Sequence, residues 1–276
     1  MQLDMNFPDR SWLLVSRSTD GGQTFTAPYG VAYGNVHFPG IAADANTGRV
    51  SVTWVNVAQN DIRAAHSSNF GDTFGSHEVA WVGGDLLTRA PGWALNAIAR
   101  APSIPMIRYN HIANRLTVVY HARNGSNLTD VFVTYSPCST NCNFWNWEIP
   151  KLVNDNTTND QFFPGIDYTS AGNLVVTLYD RREDGNNRDY QQYFAYLTST
   201  GDAIAGEPNR RICRDAACTA NNPNAAGAGD PFRNFIGDYQ DVWTDTYPSE
   251  GNAERGISAW IGIGNVEDTY LSRIWF

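Results

Sequence analysis

Along this chain, short apolar runs that alternate with period two are broken by polar turns, and the same arrangement returns three times. Phe38-Pro39-Gly40-Ile41 leads to Gly48-Arg49-Val50-Ser51-Val52-Thr53-Trp54. Ile104-Pro105-Met106-Ile107 leads to Asn114-Arg115-Leu116-Thr117-Val118-Val119-Tyr120, and Phe163-Pro164-Gly165-Ile166 leads to Asn173-Leu174-Val175-Val176-Thr177-Leu178-Tyr179. Proline and closing aromatic are fifteen residues apart in all three, and a looser fourth copy opens at Phe235-Ile236-Gly237-Asp238-Tyr239. Each copy reads as a short strand after the proline, a turn such as Asn46-Thr47-Gly48, and an alternating strand. Val50, Val52 and Trp54 share one face of that strand, and Leu116, Val118 and Tyr120 share the equivalent face. A polar loop leads to a third strand, as at Asp130–Tyr135, and a weaker fourth follows at Trp147-Glu148-Ile149. No stretch holds a helical period. Four-stranded units repeating every 59 to 72 residues predict an all-β propeller, with Val52, Trp54, Val118, Tyr120 and Leu178 buried.

One propeller domain is expected over residues 1–276. Full blades fall at 38–100, 101–160 and 161–229, with partial blades at 11–37 and 230–276. Ring closure joining the two partial blades would give four. The other reading is a longer propeller whose N-terminal blades lie outside this sequence.

A second signature sits at the turn between third and fourth strands. Ser18-Thr19-Asp20-Gly21-Gly22-Gln23-Thr24-Phe25 is matched by Ser67-Ser68-Asn69-Phe70-Gly71-Asp72-Thr73-Phe74, with Asn in place of Asp. Ser18, Asp20, Gly22 and Phe25, like Ser67, Asn69, Gly71 and Phe74, are read as structural. The carboxylate or amide accepts backbone N–H bonds within the turn, glycine takes positive φ, and the aromatic plugs the gap between neighbouring sheets. These two segments follow the Asp-box pattern, and with Tyr179-Asp180-Arg181-Arg182-Glu183-Asp184, Phe235–Tyr239 and Val242-Trp243-Thr244-Asp245 the chain resembles bacterial BNR/Asp-box proteins of the sialidase-like superfamily. The resemblance covers nearly the whole chain. It implies a propeller of six blades when complete, and hydrolases, lyases and non-catalytic members all share that fold.

Composition narrows this picture. Charged residues are 17% and aromatics 13%, which fits many strands and tight turns and excludes a disordered chain. Net charge is −9, so nucleic acid is excluded as a partner, and no apolar run reaches the length of a membrane span. Cys138 with Cys142, and Cys213 with Cys218, fall in Asn- and Ala-rich loops without a nearby His. They read as two loop-clipping disulfides of a secreted or cell-surface protein, against four free thiols in a cytosolic one. Met1-Gln2-Leu3-Asp4-Met5 lacks the regions of a signal peptide, so a secretion signal is expected to lie outside this sequence.

Blade topology places the start of each innermost strand and the loop between second and third strands on one face, opposite the Asp-box turns. That face collects His37, Arg108, Asp160 and Asp238-Tyr239 from inner-strand starts, and Arg123, the stretch from Asp180 to Asp184, and Glu267-Asp268 from the loops. Arg108, Arg123, Arg181 and Arg182 are the expected substrate-binding cations, since guanidinium fits a carboxylate bidentately. Asp180, Asp238 and Tyr239 are the expected catalytic groups: a tyrosine activated by a carboxylate, and an aspartate as acid or base. Each of these residues also has a structural reading, as a blade-junction ion pair or a turn cap. Ala101-Pro102-Ser103-Ile104-Pro105 stands where the superfamily carries an Arg-Ile-Pro motif and holds no Arg. No cofactor or metal is expected, the alternative being calcium held by Asp180–Asp184 with Asn186, Asn187 and Asp189. Two functions stay open: a glycosidase acting on glycan or glycoconjugate ends, acidic sugars included, and a non-catalytic propeller binding carbohydrate or protein.

Overall fold

The computed structural model describes residues 2–4, 7–44, 46–75, 78–81, 85–88, 94–96, 98, 100–137, 146–212, 240–247, 253–263 and 267–275. These form antiparallel sheets and no helix. The first sheet holds β1 (Gln2–Asp4), β2 (Phe7–Val15) and β3 (Tyr29–Gly34). The second runs β4 (Val36–Asp44), β5 (Arg49–Asn56), β6 (Asp61–Ser67) and β7 (Glu78–Trp81). The third runs β8 (Met106–Asn110), β9 (Arg115–Arg123), β10 (Thr129–Pro137) and β11 (Lys151–Leu152). The fourth runs β12 (Gln161–Tyr168), β13 (Leu174–Asp180), β14 (Gln191–Leu197) and β15 (Arg210–Arg211), and the last holds β16 (Asp241–Tyr247), β17 (Ala253–Ile263) and β18 (Glu267–Trp275).

Consecutive sheets pack through their innermost strands, β4 on β8, β8 on β12 and β12 on β16, which is the arrangement of propeller blades. The alternation explains the stacking. Val52 and Trp54 turn toward Leu13 and Ala32 of the first sheet, while Val55 and Ile62 turn toward Ile107, Leu116, Val118 and Tyr120 of the third. Ile166, Val176 and Leu178 then meet Val119, Val131 and Val133. Val52, Trp54, Val118, Tyr120 and Leu178 are all buried, as expected. The fourth strand of the third sheet lies at Lys151–Leu152, two residues beyond the expected Trp147–Ile149. Glu148 reaches β10 by one backbone bond, its N–H donating to the Tyr135 carbonyl at 2.9 Å. Pro150 has no N–H and interrupts the ladder there.

The Phe-Pro-Gly repeat is a bulge. Phe38 and Phe163 have φ of 54° and 47°, and the register slips between His37 and Gly40 and between Phe162 and Gly165. The glycine after the bulge faces a threonine, Thr53 or Thr177. It also lies under the next inner strand: a Cβ on Gly40 would sit 3.0 Å from Ile107, and one on Gly165 would sit 3.1 Å from the Asp241 Cα. In the second copy Met106 replaces glycine, Val119 replaces threonine, and β8 pairs without a bulge.

The first and last sheets are separate three-stranded sheets, with no strand pairing between them among the described residues. The turn at 18–25 follows β2, so β1–β3 correspond to second, third and fourth strands of a blade. β16–β18 begin with an inner strand. The described residues form five sheets, and they do not confirm the ring closure that would give four blades.

Both turns of the second signature use one bonding scheme. Gly22 N–H donates to Ser18 Oγ at 2.8 Å, the Ser18 hydroxyl donates to Asp20 at 2.7 Å, and Thr24 donates to Asp20 from its N–H at 2.9 Å and its hydroxyl at 2.5 Å. In the second turn Gly71 N–H donates to Ser67 Oγ, Thr73 N–H donates to the Asn69 side-chain oxygen at 3.0 Å, and the Asn69 amide donates to Thr73 Oγ1. Phe74 packs into the junction between first and second sheets and stacks on Tyr29 at 6.2 Å. Phe25 is instead 65% exposed. It does not plug a junction because no described sheet lies on its side of the first blade.

These bonds give an acid-sensitivity difference. The hydroxyls of Thr24 and Ser18 hold the Asp20 carboxyl far below the usual carboxylate range. A lowered folded-state value means the turn's contribution is present above the ordinary carboxylate pKa and is lost as pH falls through the lowered one. Asn69 does not titrate. In strong acid, amide hydrogen exchange at Gly22 and Thr24 is therefore expected to accelerate relative to Gly71 and Thr73. Equal acceleration in both turns would refute the role given to Asp20.

Candidate functional site

The β5–β6, β9–β10 and β13–β14 loops open on the face opposite the 18–25 and 67–74 turns. The last of these, residues 181–190, carries most of the expected site. Successive side chains leave it in opposite directions. Arg181 turns inward and is fully buried. Its Nη1 donates to Asp160 Oδ2 at 3.2 Å and to the Asn187 carbonyl at 2.9 Å, and its Nη2 donates to the Asn96 carbonyl at 2.7 Å. The guanidinium lies 5.2 Å from the centre of the Phe162 ring, above Tyr179 and Tyr190. Burial lowers its pKa to about 10, with Asp160 opposing the shift, so it stays charged. Asp160 also accepts from Thr129 N–H at 2.9 Å and from the Asn187 amide at 2.8 Å.

Arg182 turns the other way. Its Nε donates to Asp180 Oδ2 at 2.8 Å, its Nη1 lies 2.7 Å from Asp155, and its plane covers the Tyr193 ring at 4.5 Å. Asp180 is fully buried and accepts from Arg182 N–H at 2.7 Å and from Gln161 at 3.3 Å. Asp180 and Arg182 thus form a closed pair. Next to them, Asn154 donates to Asp130 at 2.8 Å and to Gln161 at 3.1 Å, tying the third sheet to the fourth.

The remaining expected residues do not join this cluster. Arg108, expected on this face, instead lies midway along β8, lines a cavity toward the other end of the inner strands and reaches Asp241 across the sheets at 3.0 Å. Arg123 ends β9, donating to Asn127 Oδ1 at 2.8 Å, with Asp85 at 4.0 Å. His37 opens the second sheet beside Phe38, and Glu267 and Asp268 begin β18 opposite Ile263 and Gly262. Asp238, Tyr239, Cys138, Cys142, Cys213 and Cys218 lie outside the described residues. Gln240, the next residue after Tyr239, is buried at the junction of fourth and last sheets and accepts from Gln192 at 2.7 Å.

The 184–189 loop is closed on itself. Burial works against the Asp184 charge, but N–H groups of Asp189, Asn186 and Arg188 hold its carboxyl below the usual range at 2.7–3.0 Å. A carboxylate saturated by backbone donors is a turn anchor rather than a free cation ligand, and no cluster of three or more metal-binding side chains occurs among the described residues.

Sequence reasoning passed over His121, Asp130, Asn154 and Gln161. For His121, Asp130 and Gln161 the signal was polar character near strand ends where apolar residues are the rule; Asn154 lies in a loop and carried none. His121 is fully buried: its Nδ1 accepts Phe163 N–H at 3.4 Å, leaving Nε2 to donate to the Ala101 carbonyl at 3.2 Å. Burial lowers its pKa to about 4, so it is neutral at pH 7.

The fold and this site define a class: an all-β array of blade-like antiparallel sheets with a polar, ion-paired loop face. No protein-family model and no curated protein sequence matches the chain. Among solved structures, an α-L-arabinofuranosidase of Fusarium graminearum is similar at 12% identity and a TM-score of 0.49, over 96% of this chain and 85% of that one. An α-L-arabinofuranosidase of Podospora anserina is similar at 10% identity and 0.42, over 95% and 69%. The NanB sialidase of Streptococcus pneumoniae is similar at 9% identity and 0.49, over 96% of this chain and 35% of that one. At these values the likeness concerns chain path and says nothing about the site.

Proposed function

We propose that this chain is a sialidase-like β-propeller, secreted or held at the cell surface, that engages glycans at its loop face. The row of blade-like sheets and the two turns bonded in the Asp-box manner support the architecture. One observation carries the functional reading: Arg181 and Arg182 lock the 181–190 loop from two sides, so that Asn96 and Asn186, joined by a 2.9 Å bond, and Asn127 stand exposed on a held surface. Amides fixed this way donate to and accept from hydroxyl groups, which suits an uncharged sugar. The acidic-sugar form of the reading has less support, because Arg108, Arg181 and Arg182 each face a carboxylate at 2.7–3.2 Å. Asp238 and Tyr239 remain the proposed catalytic pair.

The non-catalytic form is favoured by one specific feature. Asp180, the third expected catalytic group, is closed off by Arg182. Titration with xylotriose, cellotriose and sialyllactose, alongside hydrolysis of 4-methylumbelliferyl glycosides, tests both. The expected result is binding of a neutral oligosaccharide in preference to sialyllactose. Hydrolysis that vanishes in Asp238→Asn with unchanged Tm identifies the enzyme, and binding without hydrolysis identifies the binding module. Binding of none of the three contradicts the proposal.

A further inference from the structure

A cavity of about 430 Å³ lies at the other end of the inner strands, on the side of the 18–25 and 67–74 turns. The ends of β4, β8 and β12 line it, and the loop-face residues above take no part in it. Its volume is in the ~300–1,000 Å³ range of small-ligand pockets.

Its walls offer three kinds of contact. Ile41 and Ile112 stand 58% and 67% exposed at its rim. Arg108 supplies donors: one terminal nitrogen meets Asp241 at 3.0 Å and the other meets the Ile107 carbonyl at 3.1 Å, which leaves N–H groups of a five-donor fork unused by those bonds. Asp167 supplies acceptors: its Oδ2 accepts Thr244 N–H at 2.7 Å, holding the carboxylate across the β12–β16 junction. The Thr244 hydroxyl also donates to Oδ2, at 3.2 Å, and burial raises the Asp167 pKa, with Thr244 and Arg108 opposing.

These features select the ligand. An anion would meet two carboxylates around a single guanidinium. A purely apolar molecule would cover Asp167 without giving it a donor, at a desolvation cost. A metal would find too few ligands, since no cluster of three metal-binding side chains occurs among the described residues. A sugar ring satisfies all three walls, with hydroxyl groups that bond both Arg108 and Asp167 and a C–H face that covers the isoleucines.

The geometry points to a second carbohydrate subsite here, holding a neutral sugar ring between Arg108, Asp167, Ile41 and Ile112. It rests on the reading of this protein as a glycan-engaging propeller, and it adds a second mouth to it. The test is calorimetric titration of the whole chain with cellotriose, maltotriose and triacetylchitotriose. At least one is expected to bind, and Ile41→Trp, which fills an exposed rim position, and Asp167→Asn should each weaken that binding tenfold or more. Asn186→Ala on the loop face should leave this component unchanged. If none of the three binds, or if Ile41→Trp and Asp167→Asn bind as tightly as the parent, the subsite does not exist. Loss in Asn186→Ala alone places the sugar on the loop face, which overturns this proposal while sparing the functional one.

Discussion

Replacing Asp160 with alanine is expected to destabilise the protein by about 3–5 kcal/mol, the range for breaking a buried ion pair from one side. The reason is the position of Arg181. Its guanidinium is fully buried, Asp160 is the carboxylate that meets it at 3.2 Å, and the aromatic floor of Phe162, Tyr179 and Tyr190 cannot replace that charge. The same change removes the acceptor for the buried Thr129 N–H and for the half-buried Asn187 amide, so two further donors lose their partner. Asp160→Asn keeps an acceptor and should cost less. The double change Asp160→Ala with Arg181→Met removes the stranded charge and should recover much of the loss. Urea unfolding midpoints read all three. A loss below about 1 kcal/mol for Asp160→Ala would mean that the loop is not held by this pair.

The second large effect is expected from Gly165→Ala, at about 1–3 kcal/mol of destabilisation from overpacking. The new Cβ would sit 2.8 Å from Thr177 Oγ1 and 3.1 Å from the Asp241 Cα. One of those neighbours is backbone of the next blade and can yield only by opening the junction of β12 with β16. Gly185→Ala meets nothing within 4 Å and serves as the control, expected to fall within about ±0.5 kcal/mol. Thr177→Ala in the Gly165→Ala background should recover part of the loss by removing the nearer clash. Thermal unfolding of the three variants checks this. Equal stability of Gly165→Ala and Gly185→Ala would show that the glycine is not there for close approach.

Much of the fold was legible because blade strands announce themselves by alternation. Val52, Trp54, Val118, Tyr120 and Leu178 sit where the pattern puts them, and the Ser-x-Asp/Asn-x-Gly-x-Thr-Phe turns close on themselves as their chemistry requires. The role of the Phe-Pro-Gly repeat was not legible. A positive φ at phenylalanine has no sequence signal, and only the packed sheets reveal which backbone the glycine must clear. Phe25 shows the limit of local reasoning in another way: its turn matches that of Phe74, but its burial depends on a neighbouring sheet. The same holds for the site. The run from Asp180 to Asp184 announces charge, and Arg182 does pair with Asp180, yet the other partners of Arg181 and Arg182 include Asp160, Asn96 and Asp155, distant in sequence. Charge in a loop tells where ions gather, and only the fold tells whether they face a ligand or one another.

The central claim is that glycans are held by the loop face, and hydrogen exchange with and without a bound neutral oligosaccharide tests it most directly. The measurement is best made in the Ile41→Trp background, which fills the rim of the cavity at the ends of β4, β8 and β12. The account predicts slowed exchange at residues 123–129 and 184–190, around Asn127 and Asn186, with the turns at 18–25 and 67–74 unchanged. Protection confined to those turns, or saturating binding without any protection at 123–129 and 184–190, would contradict it.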